Sequence, residues 1–305
     1  MEGTRLGEYT LTHRLATGGM GVLWLAVTQD GSPVAVKVLR SPLERQAHFR
    51  SRFAREVEAL FRMTGPHTPR LLAADPDAPT PYLVMEYVPG PTVEQRLKTA
   101  GALELDELLS LATGLAHALA AVHGAGMVHR DLKPNNVILA ERGPVVIDFG
   151  IVHPTQAEPI TSADVVMGSP GWTAPELMSG QRATSAADIF GWGGVVAYAA
   201  TGRNPYGSGP TFEVLDRVRY SDPDLAHVPA PIAPLLRSAM AADPAQRPDA
   251  DGLLLALAQV ADLERRRPAR ARLATPVRAA TLAGGVALVS GLAAGGGLAA
   301  AGIAF

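Results

Sequence analysis

The chain has 305 residues, 47% of them hydrophobic and 18% charged, enough apolar material for a sizeable core and too much for wholesale disorder. A formal net charge of −2 excludes a basic nucleic-acid binder as the whole chain, and the absence of cysteine excludes disulfide scaffolds, thiolate zinc sites and a cysteine nucleophile. No long apolar run follows the first charges, so no secretory signal peptide is visible.

Tyr9–Leu15, Val22–Val27 and Val34–Leu39 are short runs rich in β-branched and aromatic residues. Gly18-Gly19-Met20-Gly21 and Gln29-Asp30-Gly31-Ser32-Pro33 separate them, which predicts hairpin-linked strands. The spacing of Phe49, Phe53, Val57 and Leu60 predicts a helix from Leu43 to Met63, stopped by Gly65-Pro66. Two further strands are expected at Arg70–Ala73 and Tyr82–Glu86, completing a small antiparallel sheet that carries one helix. Beyond Pro89-Gly90, Leu105, Leu108, Leu109, Ala112, Leu115, Leu119 and Val122 mark one face of a long, mostly buried helix. Val137–Leu139 and Val145–Ile147 suggest a small hairpin. Helices are expected at Ser185–Thr201, Thr211–Val218, Ala233–Ala241 and Ala250–Leu263. A β-rich front and a helical back make a two-lobed α+β body.

The glycine-rich turn lies between two predicted strands, which argues against a dinucleotide fingerprint, since that needs a following helix N-terminus. Such a turn can bare backbone N–H groups to phosphates, or be a plain hairpin turn. Lysine is scarce: of 27 basic residues only Lys37, Lys98 and Lys133 are lysines. Lys37 ends the apolar stretch Val34-Ala35-Val36, either snorkelling to solvent or serving as a phosphate ligand held by Glu56 on the following helix. His129-Arg130-Asp131-Leu132-Lys133-Pro134-Asn135-Asn136 is more specific. It places an acid, a lysine and an asparagine in one loop directly after the buried helix. Asp131 can accept a hydroxyl proton, Lys133 can neutralise a transferring phosphoryl group, and Asn136 can ligate Mg²⁺ through its carbonyl oxygen. Asp148-Phe149-Gly150 then supplies a carboxylate at a strand end, followed by Ala174-Pro175-Glu176 and, in a late loop, Arg247.

In this order and spacing the set resembles the protein kinase family, specifically the bacterial eukaryotic-like (Hanks-type) serine/threonine kinases of actinobacterial type. The resemblance covers residues 5–262 and implies a bilobal kinase fold: a small antiparallel N-lobe over about 5–86, a hinge at 86–90 and a helical C-lobe over 91–262. It implies ATP as phosphate donor with Mg²⁺, or Mn²⁺ as the alternative ion, and protein serine and threonine as acceptors. Gly18 and Gly21 match the second and third glycines of the phosphate-covering loop, with Gly19 between them. Ala16 replaces the first glycine and Leu23 the usual valine, which implies an altered grip on nucleotide. By the same resemblance Lys37 holds the α- and β-phosphates with Glu56 as its ion-pair partner. Asp131 is the catalytic base, Lys133 the γ-phosphate contact, and Asn136 and Asp148 the metal ligands. Leu15, Ala35, Met85 and Ile138 match the adenine pocket, and Glu86 and Val88 the hinge backbone. Glu176 with Arg247 matches a buried ion pair bracing the peptide platform, and Asp188 a helix-start acid bonded to the catalytic loop. Thr173 is expected to bond Asp131 and Lys133. Thr161, with Ser162 as second choice, falls where related kinases carry an activating autophosphorylation. The competing reading is a membrane-tethered ATP-binding pseudokinase scaffold. Such chains usually lack an equivalent of Lys37, Asp131 or Asp148, and this chain has all three.

From Leu263 onward there is one acid, Glu264, against six arginines, a net of +5 that leaves −7 for residues 1–262. After Arg278 come 27 residues without a charge. As a helix they would reach about 40 Å, beyond a hydrocarbon core of roughly 30 Å. Seven glycines there oppose a stable helix and favour a disordered tail instead. The basic strip at 263–278 decides for a juxtamembrane linker, because arginines flank the cytoplasmic end of a span. The expectation is a single-pass C-terminal transmembrane helix at 279–305 in the cell membrane, with the kinase domain cytoplasmic. Gly291-Leu292-Ala293-Ala294-Gly295 would let two such helices pack as a homodimer. Nucleic acid is not expected as a partner, and any sensor is expected to be a partner or cytosolic.

Overall fold

Strand periodicity organises the front of the molecule. The computed structural model describes residues 2–18, 21–39, 53, 57–148 and 170–266. Six strands form one antiparallel sheet: β1 (Arg5–Leu6), β2 (Tyr9–Thr17), β3 (Gly21–Val27), β4 (Pro33–Leu39), β5 (Leu71–Asp75) and β6 (Tyr82–Glu86), in the order β1-β2-β3-β4-β6-β5. Successive side chains of a strand point to opposite faces. Val36 therefore stands with Trp24 and Val84 in one apolar cluster, together with Tyr9, Leu11, Val38 and Tyr82. Lys37 stands with Leu23 and Leu83 on the other face. Leu83 packs there with Phe53, Val57 and Leu60 of the expected helix, whose residues 57–62 are helical.

The back is helical. It contains α1 (Val93–Ala100), α2 (Leu105–Gly124), α3 (Pro175–Met178), α4 (Ser185–Thr201), α5 (Thr211–Tyr220), α6 (Ala233–Ala239) and α7 (Ala250–Arg266). A hairpin of β7 (Val137–Ala140) and β8 (Gly143–Val146) lies against α2. By length and composition α2 could cross a membrane, yet it is the core helix here. Leu108, Leu111, Leu115 and Leu119 are buried, and Trp192 Nε1 of α4 donates to the Ala112 carbonyl at 2.9 Å. Close approach needs Gly114, where a Cβ would overlap the Pro144 ring.

The kinase-type architecture of a sheet lobe and a helical lobe is present, with local differences from expectation. Strand β1 was not anticipated, because two residues carry no periodic signal. Strand β5 starts and ends later than Arg70–Ala73, and β8 ends at Val146, one residue short of Ile147. Helix α1 was also missed: only Val93 and Leu97 are buried, too few to show a period. Its local signal was the Thr92–Gln95 capping box, in which each side chain bonds the other's backbone N–H. Helix α6 stops at Ala239, before the expected Ala241, and α5 continues to Tyr220. Gly19, Glu56, Thr161, Ser162 and the expected span at 279–305 lie outside the described residues.

Candidate active site

Asp188 organises the loop that follows α2. It sits in the first turn of α4, where the helix dipole favours negative charge, and only 2% of it is exposed. Its Oδ2 accepts from His129 N–H at 2.8 Å and lies 2.9 Å from His123 Nε2, while Oδ1 accepts from Arg130 N–H at 2.7 Å. Arg130 has φ +69°, a left-handed conformation that costs a residue with a side chain about 1–3 kcal/mol. Two charge-assisted bonds to one buried carboxylate hold the strained turn in place.

His129 carries this order forward. Asp131 N–H donates to His129 Nδ1 at 3.3 Å, so the ring proton is on Nε2, which donates to the Ile147 carbonyl at 3.1 Å. One imidazole thereby ties the loop to the residue before Asp148. Asp131 Oδ2 accepts from Lys133 Nζ at 2.7 Å and from Asn136 Nδ2 at 3.1 Å, and the same Nδ2 also donates to the Asp131 carbonyl at 2.8 Å. With that amide nitrogen bonded to Asp131, the side-chain oxygen of Asn136 is the atom left to act as a ligand. Asn136 itself is buried at the end of the 3₁₀ turn Pro134–Asn136.

Lys37 and Asp148 meet across 111 residues of chain, Nζ donating to Oδ1. Asp148 also has positive φ, +60°. Burial pushes its carboxyl pKa up, but the Lys37 charge and hydrogen bond, helped by Lys133, outweigh that and hold it below the ordinary carboxylate value. Asp148 is thus an anion at neutral pH. Lys98, the remaining lysine, lies elsewhere, in a surface pair with Glu94 at 2.7 Å.

The sheet brings the other expected residues toward this point by register. Ala16 faces Leu23, Leu23 faces Lys37, and Ala35 faces Met85. Ala35, Met85 and Val88 are buried, whereas Leu15 is 44% exposed. Ile138 lies against Gly90, where φ is +141° and a Cβ would come within 2.6 Å of the Leu139 carbonyl oxygen. Gly18 N–H donates to the Gly21 carbonyl at 2.9 Å, closing the loop tip. Glu86 N–H is committed to the Arg70 carbonyl at 2.9 Å, so a hinge bond from Glu86 to a ligand must come from its carbonyl. The Glu86 side chain instead ties Arg142 to Arg70, and these bonds lower its pKa.

Glu176 and Arg247 form the expected buried pair, at 2.7 and 2.9 Å through both guanidinium ends. The carbonyls of Ala241, Ala186 and Ala242 take the remaining Arg247 donors, and its guanidinium lies 5.1 Å from the Phe190 ring centre. All five donors are used. Thr173 is a correction: its hydroxyl makes no hydrogen bond to Asp131 or Lys133, which bond each other instead. Residue 173 immediately precedes the turn into α3, and the backbone there faces α4. The histidines at 123 and 129 were not anticipated as supports, since both act through folding contacts that leave no local pattern.

Comparison with known proteins agrees with this geometry. Residues 9–256 match the family model described as "Protein kinase domain". The chain is similar to a probable serine/threonine-protein kinase, PkwA, of Thermomonospora curvata, with 39% identity over 253 residues, 83% of this chain and 34% of that one. It is also similar to the serine/threonine-protein kinase PknA of Mycobacterium tuberculosis, with 33% identity over 92% of this chain and 67% of that one. The chain spans about a third of the length of the first curated relatives it matches. Among solved structures, the Mycobacterium tuberculosis PknI kinase domain superposes with a TM-score of 0.66 and 26% identity, covering 85% of this chain and 98% of that one.

Proposed function

Because the chain belongs to the protein kinase domain family, we propose that it transfers the γ-phosphoryl group of ATP to serine and threonine hydroxyls of proteins. The observation that carries this is the convergence of Asp131, Lys133 and Asn136 on one point of a loop pinned by Asp188, with His129 linking that loop to the strand end where Lys37 meets Asp148. A scaffold would need none of this order around Asp131.

In this reading Lys37 holds the α- and β-phosphates. Asp131 orients the acceptor hydroxyl and takes its proton at Oδ1, the oxygen without an internal bond, as the hydroxyl oxygen bonds to the γ-phosphorus and ADP leaves. Lys133 offsets the charge of the moving phosphoryl group. The Asn136 side-chain oxygen and the ionised Asp148 are hard oxygen donors that suit Mg²⁺ or Mn²⁺. Among the described residues no group of three or more His, Cys, Asp or Glu could hold an ion by itself, and Asn136 with Asp148 would be the residues that hold it. An ion held there would supply charge neutralisation for the transferring phosphoryl group.

The test is transfer of labelled γ-phosphate from ATP to a basic protein by the full chain and by Asp131→Asn. The substitution should lower kcat by about 10²–10⁴-fold, the usual worth of a general base, with ATP affinity unchanged. A wild-type chain that binds nucleotide but transfers nothing would instead support the scaffold.

Three finer parts belong to the same proposal. The uncharged segment 279–305 and the arginine strip before it support anchoring in the cell membrane with the kinase domain cytoplasmic. The full chain should fractionate with membranes, and a chain ending at Arg267 should not. Anchoring would concentrate copies and favour phosphorylation in trans at Thr161 or Ser162. Mass spectrometry after incubation with ATP and Mg²⁺ should find phosphate there, and Thr161→Ala should lose most activity.

A further inference from the structure

Between α4 and α5 the chain turns through residues 202–210. Asn204 Oδ1 accepts from Tyr206 N–H at 2.9 Å, while Nδ2 donates to the Pro170 carbonyl at 3.3 Å. One partner is a donor and the other an acceptor, so the orientation of the amide follows from the bonds. The turn is braced from behind. Gly207 N–H donates to the Asn204 carbonyl at 2.8 Å, and Asp224 N–H to the Pro205 carbonyl at 2.8 Å. From α5, Arg217 donates to the Tyr206 carbonyl at 2.6 Å and to the Ser208 carbonyl at 2.8 Å. Pro205 and Tyr206 are buried beneath it. Asn204 is therefore the tip of a rigid arm.

The arm reaches the backbone at 170–173. Gly171 has φ +93°, and a Cβ there would overlap the Asn204 amide, so the two residues are matched in shape. Trp172 packs edge-on to Tyr198, with ring centres 5.4 Å apart, and lies over Gly194. Gly191, one turn earlier on α4, touches both sides of the site. A Cβ added there would lie 3.1 Å from the Leu132 carbonyl oxygen and 3.7 Å from that of Trp172. The segment held by Asn204 thus rests on the same glycine as the residue after Asp131. The ledge therefore adjoins the loop of Asp131, to which an acceptor chain brings its hydroxyl in the reading above.

We propose that Asn204 is a positioning residue for the protein acceptor: through Pro170 and Gly171 it sets the ledge at 170–173 on which the acceptor backbone lies. The inference rests on the phosphotransfer reading above. Asn204 touches none of the groups assigned to nucleotide, so its loss should weaken acceptor capture and leave the nucleotide site alone.

The experiment uses the full chain, ATP with Mg²⁺ and a serine/threonine peptide library, comparing wild type with Asn204→Ala and Asn204→Asp. Aspartate keeps an acceptor for Tyr206 N–H but cannot donate to the Pro170 carbonyl, so it separates the turn's own integrity from its hold on the ledge. Both variants should raise the acceptor KM about five- to tenfold, the worth of one hydrogen bond of about 1–1.4 kcal/mol. The KM for ATP and the slow ATP hydrolysis without acceptor should stay at wild-type values, and the order of preferred library peptides should change. Asn204→Asp with a wild-type acceptor KM would overturn the proposal, as would equal losses for acceptor and ATP. A wild-type chain that phosphorylates no library peptide would overturn the phosphotransfer reading and this inference with it.

Discussion

Asp188→Asn tests how the loop around Asp131 is held. The carboxylate serves two backbone N–H groups on different oxygens, with His123 on the same oxygen as His129. Asparagine keeps the volume but replaces one oxygen with a donor. Its better orientation turns Nδ2 toward Arg130 N–H, because the opposite one would forfeit the bond to His129 N–H. The bond from Arg130 N–H to Asp188 is then lost, at a cost of about 1–3 kcal/mol, and the other two bonds lose their charge assistance, about 0.5–1 kcal/mol each. The sum is about 2–5 kcal/mol. The catalytic consequence is separate: Arg130 at φ +69° loses the bond that offsets its strain, so the turn relaxes and Asp131 shifts. Urea denaturation should show the stability loss, and kcat should fall at least about tenfold, since a displacement of about 1 Å can cost 10²-fold. ATP affinity should hold. An Asn variant within about 0.5 kcal/mol of wild type and with unchanged kcat would refute the account of Asp188 as the clamp of this loop.

Three further outcomes are expected. Arg247→Ala leaves Glu176 as an uncompensated buried carboxylate, both side chains being 4% exposed or less, and should destabilise by about 3–5 kcal/mol in urea titration; a loss under 1 kcal/mol would show that the pair is not a brace. Gly21→Ala forces a Cβ onto the Val38 carbonyl and parts β3 from β4, so stability should drop by about 1–3 kcal/mol and the ATP KM should rise; unchanged values of both would mean that the loop has room. Because folding lowers the Asp148 pKa, its ionised form contributes stability above the ordinary carboxylate pKa, and that contribution is lost as pH falls through the lowered value. The urea midpoints of wild type and Asp148→Asn should therefore differ at neutral pH and converge only at or below the ordinary carboxylate range; convergence near neutrality contradicts the assignment.

Much of the site was legible before any fold was known, because its chemistry is local in sequence. Asp131, Lys133 and Asn136 share one short loop, and their mutual bonds need only that loop's turn to form. Lys37 was visible as a lone cation in an apolar strand, and α2 and α4 as long apolar helices, since periodicity is a property of neighbouring residues. What the tertiary structure alone decided are the contacts between distant segments. The Asp188 clamp spans 58 and 59 residues and the Glu176–Arg247 pair 71. The family resemblance pointed to both, while nothing in the residues around them did. His123, His129 and Asn204 show the limit more sharply: each is a single polar residue whose meaning depends on the distant group that folding brings to it. A hydrogen bond is satisfied by proximity in space, and no spacing along the chain encodes which distant carbonyl or N–H will arrive. Thr173 marks the same limit from the other side. Its place beside the Ala174-Pro175-Glu176 motif suggested a bond to Asp131, yet the backbone path that seats Trp172 over Gly191 and Gly194 leaves that hydroxyl without one.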